Sequence, residues 1–324
     1  MDRRIKIRHL LAFTEILRQQ SLKRAAARLS LTQPAMSRTL AELETILGAR
    51  LVIRDRGGVT PTPQGAFFLA HAQASLSALE RGLSGLRDGG RGVLALKVGA
   101  LPSVAARLMP QIAAEMARLA PDLQLTVADG PHGALTEQLR DGRLDLVIGR
   151  LGDPATMRGL SFTQLYLEEV AVVVRPGHPI LSDPDLRRIG DWTVLYPAPG
   201  AAIRPIVERL LIAQGIPLPP RRIETVSDAF GRAFTAQGDA VWLISAGVVA
   251  GEVAAGRLVR LPVPTRLTEG PVGLMTRAGA EPADHSSTAR HLFTAAVNRA
   301  VAVLGLDDGA ARDAQARAPS PDTP

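Results

Sequence analysis

Apolar residues recur at helical spacing along the first fifty positions of the chain. Those of a first helix are Leu10, Phe13, Ile16 and Leu17. Ser21 follows as a natural N-cap for a short second helix. Because spacings of three and four place side chains on one face of a helix, the pattern predicts two short helices that pack together.

A third helix is predicted to begin at Thr32, whose hydroxyl can cap it, with Pro34 in the first turn, where a missing N–H costs little. Its buried stripe consists of Met36, Leu40, Leu43 and Leu47. Gly48 is a suitable residue to end it. Short apolar runs at 51–53 and 58–60 then flank a turn at 54–57. The pattern therefore predicts three helices followed by a two-stranded wing.

The face of the third helix opposite the apolar stripe is polar at its amino-terminal end. It presents Gln33 and Arg38, with Ser37 on the flank, and the wing turn adds Arg54 and Arg56. In the major groove, Gln pairs with adenine and Arg with guanine through two hydrogen bonds each. The residue types suit a DNA-reading helix with a basic wing. The alternative is a small structural domain without a ligand.

The excess of positive charge is confined to this part of the chain. Residues 1–60 contain 12 Lys and Arg against 5 Asp and Glu, whereas the rest contains 26 of each sign. A uniform bias towards Arg would not produce this contrast. One basic module on a neutral body is typical of a phosphate-binding head.

A long helix is predicted from Thr62-Pro63 to about Arg87. Its apolar positions alternate in steps of three and four: Leu69, Ala72, Leu76, Leu79, Leu83 and Leu86. This heptad seam favours pairing with another chain, because the helix joins two domains and has no obvious partner in its own. The alternative is a helix packed on its own domain. Asp88–Gly92 predicts a flexible linker.

From Val93 onward the pattern alternates between strands and helices, which predicts an α/β domain with a mainly parallel sheet. The predicted strands are 93–99, 123–127, 144–149, 170–175, 193–196, 223–226, 240–244 and 270–276. The predicted helices are 102–119, 132–140, 202–214, 228–237 and 286–304. Residues 307–324, rich in Ala, Asp and Pro, are predicted to be disordered.

Three segments of the first domain form a specific set: 21–29 (SLKRAAARL), 32–38 (TQPAMSR) and 43–48 (LETILG). With their surroundings, from about Arg8 to Gly65, they resemble the winged helix-turn-helix of LysR-type transcriptional regulators. The resemblance implies that DNA is contacted by Thr32, Gln33, Pro34, Ser37, Arg38, Arg54 and Arg56. It also implies a homodimer through the long helix, assembly into tetramers on DNA, and RNA polymerase as a further partner.

Segments of the body carry a second likeness: 142–151, 173–179, 224–232 and 270–277. They resemble the LysR-type regulators of protocatechuate breakdown, and a related branch that regulates sugar-binding-protein operons shares many of them. The resemblance implies a two-subdomain effector domain with the fold of periplasmic binding proteins, in which the last strand and helix return to the first subdomain.

The expected organisation follows from these two likenesses. A winged helix-turn-helix spans residues 1–62, and a linker and dimerisation helix with its hinge spans 63–92. The effector domain spans 93–306, with subdomain I at 93–164 and 270–306 and subdomain II at 165–269.

Ligands of such folds bind where strands end and helices begin. The candidate effector-binding residues at these places are Leu101, Ser103, His132, Arg150, Arg204 and Ser227. Two arginines and two helix N-termini converging on one cleft predict an anion, most simply a carboxylate. The resemblance implies that this carboxylate comes from protocatechuate breakdown. A sugar effector remains the alternative. Each residue also has a structural alternative, since such arginines pair with acids and such serines cap helices.

No catalytic site, cofactor or metal site is predicted. Gly90–Ala95 fits a loose dinucleotide fingerprint but precedes a strand instead of following one, and Ile244–Gly247 lacks the first glycine of a nucleophile elbow. The chain has no cysteine, and its 6 histidines show no metal spacing.

The chain also lacks a long apolar run and a secretory signal. We therefore expect a cytoplasmic protein and not the alternative, a solute-binding protein. The resemblance to LysR-type regulators implies that it controls a metabolic operon, by activation or by repression.

Overall fold

The computed structural model describes residues 3–55, 57–87, 94–278 and 285–306. The chain falls into two compact units: a head built on residues 1–93 with 140–143, and a body built on residues 94–139 and 144–324. The predicted linker at 88–92, the wing residue Arg56 and the predicted disordered tail lie outside the described residues.

The head begins with three helices, as predicted: α1 (Ile7–Gln19), α2 (Leu22–Arg28) and α3 (Gln33–Leu47). The Ser21 hydroxyl accepts a hydrogen bond from the backbone N–H of Arg24 at 3.4 Å, and the Thr32 hydroxyl from that of Ala35 at 3.3 Å. Gly48 ends α3 with a left-handed φ of 63°. Fully buried between the helices are Phe13, Ile16, Ala25, Met36, Leu40 and Leu43. The predicted caps and apolar stripes are therefore confirmed.

The wing is an antiparallel pair of strands, β1 (Val52–Asp55) and β2 (Gly58–Pro61), each slightly longer than predicted. The Glu44 carboxylate of α3 accepts hydrogen bonds from the backbone N–H groups of Leu51 at 2.7 Å and Val52 at 3.3 Å. This side chain fastens the start of the wing to α3.

The long helix α4 (Pro63–Arg87) has the predicted bounds, but the expectation that it has no partner in its own domain is wrong for its first half. The rings of Phe68 and Phe13 of α1 lie 5.6 Å apart between centroids. Further along α4, Leu79 and Leu83 are 39% and 47% exposed. Leu79 and Leu83 are therefore seam leucines that the described part of the chain leaves exposed.

The start of α4 passes very close to the wing. The Thr62 hydroxyl donates to the carbonyl of Arg50 at 2.7 Å and accepts from the N–H of Gly65 at 2.9 Å. A Cβ atom at Gly65 would collide with the carbonyl oxygen of Leu51. Glycine is needed here because the two backbones leave no room for a side chain.

The first subdomain of the body is a five-stranded sheet in the order β4-β3-β5-β12-β6. Its strands are β3 (Ala95–Ala100), β4 (Gln124–Asp129), β5 (Leu146–Arg150), β6 (Leu160–Glu168) and β12 (Gly270–Arg277). β3 runs parallel to β4 and β5, whereas β12 runs antiparallel to β5 and β6. The final helix α11 (His285–Val303) buries Phe293 against Ile112 in the same core. The predicted return of the last strand and helix is confirmed.

Two features of this subdomain differ from the sequence prediction. The helix predicted over 102–119 is two helices, α5 (Pro102–Arg107) and α6 (Met109–Leu119). Pro110 lies in the first turn of α6, where its ring would clash with the preceding turn of a continuous helix. Strand β6 was not predicted, and the expected boundary between residues 164 and 165 falls inside it. Helix α7 (His132–Arg140) is as predicted.

The second subdomain is a five-stranded sheet in the order β11-β7-β10-β8-β9. Its strands are β7 (Val170–Val174), β8 (Thr193–Pro197), β9 (Arg222–Thr225), β10 (Ala240–Ser245) and β11 (Val259–Arg260). β8 is parallel to β9 and β10, and β7 is antiparallel to β10 and β11. The helices are α8 (Arg204–Ala213), α9 (Asp228–Gln237) and α10 (Ala246–Ala254). Of these elements, β11 and α10 were not predicted.

Candidate functional site

The head exposes a polar surface on the first two turns of α3. Gln33, Pro34 and Arg38 are exposed there together with the capping residue Thr32, and Ser37 is half-buried on the flank. The apolar stripe of α3 fixes this orientation, because Met36, Leu40 and Leu43 are fully buried on the other side. Five of the seven predicted DNA-contacting residues thus share one surface.

Arg38 and the wing residue Arg54 are both available for a ligand. Arg54 lies on β1 and is exposed. Within the part of the chain that the structure describes, neither guanidinium has an ion pair or hydrogen bond. An exposed, unpaired guanidinium can donate two parallel hydrogen bonds to a base edge or to a phosphate.

Strand ends and helix starts from both subdomains meet in the body, where the effector cleft is predicted. Leu101 and Ser103, at the start of α5, and His132, at the start of α7, come from the first subdomain and are all buried. Ala202, just ahead of α8 in the second subdomain, packs against the apolar cluster that contains Leu101. The two walls therefore touch at this point.

Arg150 does not point a free charge into this cleft. Its guanidinium donates to the backbone carbonyls of Glu168 at 2.7 Å and Thr268 at 3.1 Å, and lies 3.8 Å from the Glu168 carboxylate. Its side chain is only 4% exposed. Arg150 therefore has a structural role instead of the predicted ligand-binding one. Its guanidinium bonds to both segments that connect the subdomains and lies beside the Glu168 carboxylate.

Arg204 is also paired within the chain and has no free charge to offer a ligand. It forms ion pairs with Glu208 at 2.9 Å and Glu224 at 3.1 Å, and donates to the carbonyl of Pro197 at 3.1 Å. Hydrogen bonds from Arg204 and Arg222 hold the pKa of Glu224 below its usual range, so Glu224 is ionised and neutralises the arginine. The prediction that two free arginines converge to hold an anion is therefore wrong.

Three further candidates have local structural roles. The Ser227 hydroxyl caps α9 by accepting a hydrogen bond from the N–H of Phe230 at 3.3 Å. The Ser103 hydroxyl hydrogen-bonds the Glu168 carboxylate. His132 packs so tightly against Gly152 that a Cβ atom there would collide with its ring.

Several residues of this region were missed from the sequence. Glu168 is buried at the end of β6, and one carboxylate oxygen accepts from the N–H of Gly247 at 3.1 Å. Burial raises the pKa of Glu168 and lowers the pKa of Arg150. Asp228, at the start of α9, has a raised pKa because of burial and the nearby charge of Asp129, which ends β4. No local pattern marks these residues, since their partners are distant in sequence.

Two family comparisons decide what kind of protein this is. Residues 7–66 match the family described as "Bacterial regulatory helix-turn-helix protein, lysR family", and residues 89–299 match the "LysR substrate binding domain". The chain belongs to the LysR family of transcriptional regulators. Both the DNA-binding region and the domain for small-molecule effectors of this family are present.

Relatives of this LysR-type regulator support the assignment over nearly the whole chain. The HTH-type transcriptional regulator PcaQ of Agrobacterium fabrum is 46% identical over 286 residues, which cover 87% of this chain and 92% of the relative. The uncharacterized regulator YdcI of Escherichia coli is 38% identical over 281 residues, covering 86% and 92%. Such relatives are transcriptional regulators and not enzymes.

A solved structure agrees on the fold of this LysR-type regulator. A full-length variant of OxyR from Pseudomonas aeruginosa superposes with a TM-score of 0.58 at 22% identity, covering 90% of this chain and 94% of the other. Over the described residues, none of the helices combines the length and apolar character that crossing a membrane requires.

Proposed function

We propose that this regulator recognises its operator through Thr32, Gln33, Pro34, Ser37, Arg38 and Arg54, and that its body binds a small carboxylate from aromatic catabolism. Binding of this effector would activate a metabolic operon, in the cytoplasm and through contact with RNA polymerase. The observation that carries the proposal is the exposed guanidinium of Arg38, which has no partner among the described residues and shares the first turns of α3 with Gln33.

The carboxylate effector is supported by the similarity to PcaQ and by the likeness to regulators of protocatechuate breakdown. Because Arg150 and Arg204 are already paired, and the first N–H groups of α8 bond within the chain, the carboxylate would be held by backbone N–H groups in the first turn of α7. Leu101, His132 and Ser103 would line the same cleft.

A neutral, hydroxyl-rich effector is the second candidate, as in a regulator of a sugar-uptake operon. Asp129 and Asp228 favour it, because the two lie close enough for their charges to interact and carboxylates are good acceptors for hydroxyl groups. The same two acids would repel a carboxylate placed beside them.

Homodimers through α4, paired into tetramers on DNA, complete the proposal. Leu79 and Leu83 support it, since exposed leucines in a seam at heptad spacing fit a second copy of the same helix.

A thermal-shift series on the full chain separates the two effectors. We expect aromatic acids or muconates at millimolar concentration to raise the melting temperature, because a ligand that binds only the folded state stabilises it. A rise with sugars alone would establish the second candidate, and no rise with either class would reject both.

A further inference from the structure

The head contains a second basic feature, separate from the reading surface proposed above. A pocket of about 400 Å³ lies between the chain segment that begins α1 and the second half of α3. It is lined by Arg4, Lys6, Arg8, His9, Glu42, Thr45 and Ile46. Three permanent cations therefore surround one carboxylate, and Arg4, Lys6 and Arg8 are all exposed.

Glu42 and His9 position one of these cations. The Arg8 guanidinium donates to the Glu42 carboxylate at 2.9 Å, and His9 Nε2 lies 3.1 Å from the same oxygen. His9 is only 1% exposed, and its Nδ1 accepts from the backbone N–H of Lys6 at 3.2 Å. One ring nitrogen of His9 therefore meets the start of α1 and the other meets Glu42 of α3. These bonds connect Lys6 and Arg8 to α3.

The pocket adjoins the surface that carries Arg38. Glu42 lies four residues and Thr45 seven residues further along α3. At 1.5 Å per residue these positions are about 6 and 10 Å from Arg38 along the helix axis. The major groove is about 12 Å wide, so a helix that reads bases with its first turns has its second half near a phosphate strand.

We infer that this pocket binds a phosphodiester of the DNA backbone and thereby anchors the carboxyl-terminal half of α3 at the edge of the groove. The three cations exceed the single carboxylate of the pocket by two charges, and Glu42 keeps Arg8 turned towards α3. The inference rests on DNA reading by α3 as proposed above. The site carries no sequence information of its own, because phosphates are the same at every base pair.

The test measures binding of the full chain, across a salt series, to a duplex selected from a random library by the unsubstituted protein and to a shuffled duplex. The double variant Lys6→Gln with Arg8→Gln should weaken binding to both duplexes and lower the salt slope by about 0.9 for each phosphate that it no longer neutralises. At 0.1 M salt that slope corresponds to roughly eightfold in affinity for each such phosphate. The ratio between the two duplexes should stay unchanged.

Arg118→Gln is the matched control. Arg118 is 60% exposed and paired with Glu115, much as Arg8 is 56% exposed and paired with Glu42, but it lies in the body. It should leave both affinities and the slope unchanged. Lys6→Gln alone keeps every bond of Arg8 and His9, so it should lower the slope without changing the melting temperature.

An unchanged salt slope in the folded Lys6 and double variants would overturn the inference, whereas DNA reading by α3 would stand if Arg38→Ala still lowered the duplex ratio. A second result would also overturn the assignment to DNA. Inorganic phosphate at constant ionic strength would raise the melting temperature of the unsubstituted chain but not of the double variant, while the two chains had equal salt slopes of DNA binding. The pocket would then be a site for a free anion.

Discussion

The guanidinium of Arg150 donates hydrogen bonds to the backbone carbonyl oxygens of Glu168, at 2.7 Å, and of Thr268, at 3.1 Å. Glu168 ends the strand from which the chain enters the second subdomain, and Thr268 lies just ahead of the strand by which it returns. One buried side chain therefore bonds to both segments by which the chain passes between the subdomains. The Thr268 hydroxyl also accepts a hydrogen bond from the backbone N–H of Val170 at 2.9 Å.

Arg150→Ala should destabilise the body strongly. It leaves the backbone carbonyls of Glu168 and Thr268 without their donor and removes the positive charge that lies 3.8 Å from the buried Glu168 carboxylate. Removing one partner of a buried pair in this way costs about 3–5 kcal/mol. Urea unfolding of the purified variant measures this cost. Arg187→Ala, which removes a 76% exposed arginine paired with Asp185, is the control and should stay within about 0.5 kcal/mol of the parent. Equal effects of the two substitutions would contradict the role assigned to Arg150.

Glu168→Gln should change how stability depends on pH. Burial raises the pKa of Glu168 in the folded state, so the folded chain holds this proton more tightly than the unfolded chain. The contribution of Glu168 is therefore greatest below its unfolded pKa of about 4.3 and declines as the pH rises through the folded value. We expect the parent to lose stability relative to the Gln variant as the pH rises above the unfolded value of about 4.3. The free energy of unfolding of both chains is measured by urea titration at several pH values. A difference between the two chains that stays constant with pH would refute the prediction.

Two glycines of α4 offer a matched pair of substitutions to alanine. Gly65→Ala places a Cβ against the carbonyl of Leu51 and should destabilise the head, whereas a Cβ at Gly82 meets open space. Gly82→Ala should stabilise the helix by up to about 1 kcal/mol, since alanine loses less backbone entropy. Thermal unfolding of both variants shows whether each substitution raises or lowers the melting temperature. Two stabilising substitutions would mean that α4 does not start against the wing.

Leu79→Glu with Leu83→Glu should weaken self-association. Both side chains are exposed in the single chain, and two charges in a heptad seam would have to be buried or separated on pairing. Sedimentation at several protein concentrations should show a shift from dimers towards single chains. Val303→Glu, at a 68% exposed position on α11, is the control and should leave the association unchanged. If the control variant dissociates and the seam variant does not, α4 is not the interface.

The helices of the head could be predicted because their signals are local. A stripe such as Met36, Leu40 and Leu43, with a cap at Thr32 and a glycine at the end, contains everything needed to orient α3. The alternation of strands and helices likewise predicted most of the body. Strand β6 was missed because half-buried and exposed positions mix along it, and α10 because its short run of Ala, Gly and Val suits either a strand or a helix.

The cleft could not be predicted, for a different reason. A sequence shows the residue types at the ends of strands but not their partners. Arg150 meets acceptors 18 and 118 residues away, and Arg204 meets Glu224 on a neighbouring strand. Whether an arginine is free for a ligand depends on such distant contacts. The same uncertainty applied to Arg38, which proved to be unpaired among the described residues.

Arg38→Ala tests the reading of DNA by α3 most directly. The full chain and the variant are titrated against the selected and the shuffled duplex at one fixed salt concentration, with Arg28→Ala, which removes the same charge from α2, as the control. We predict that Arg38→Ala lowers the discrimination between the duplexes by about 1–3 kcal/mol, while Arg28→Ala leaves it unchanged. An undiminished preference of the folded Arg38 variant for the selected duplex would contradict base reading by this helix.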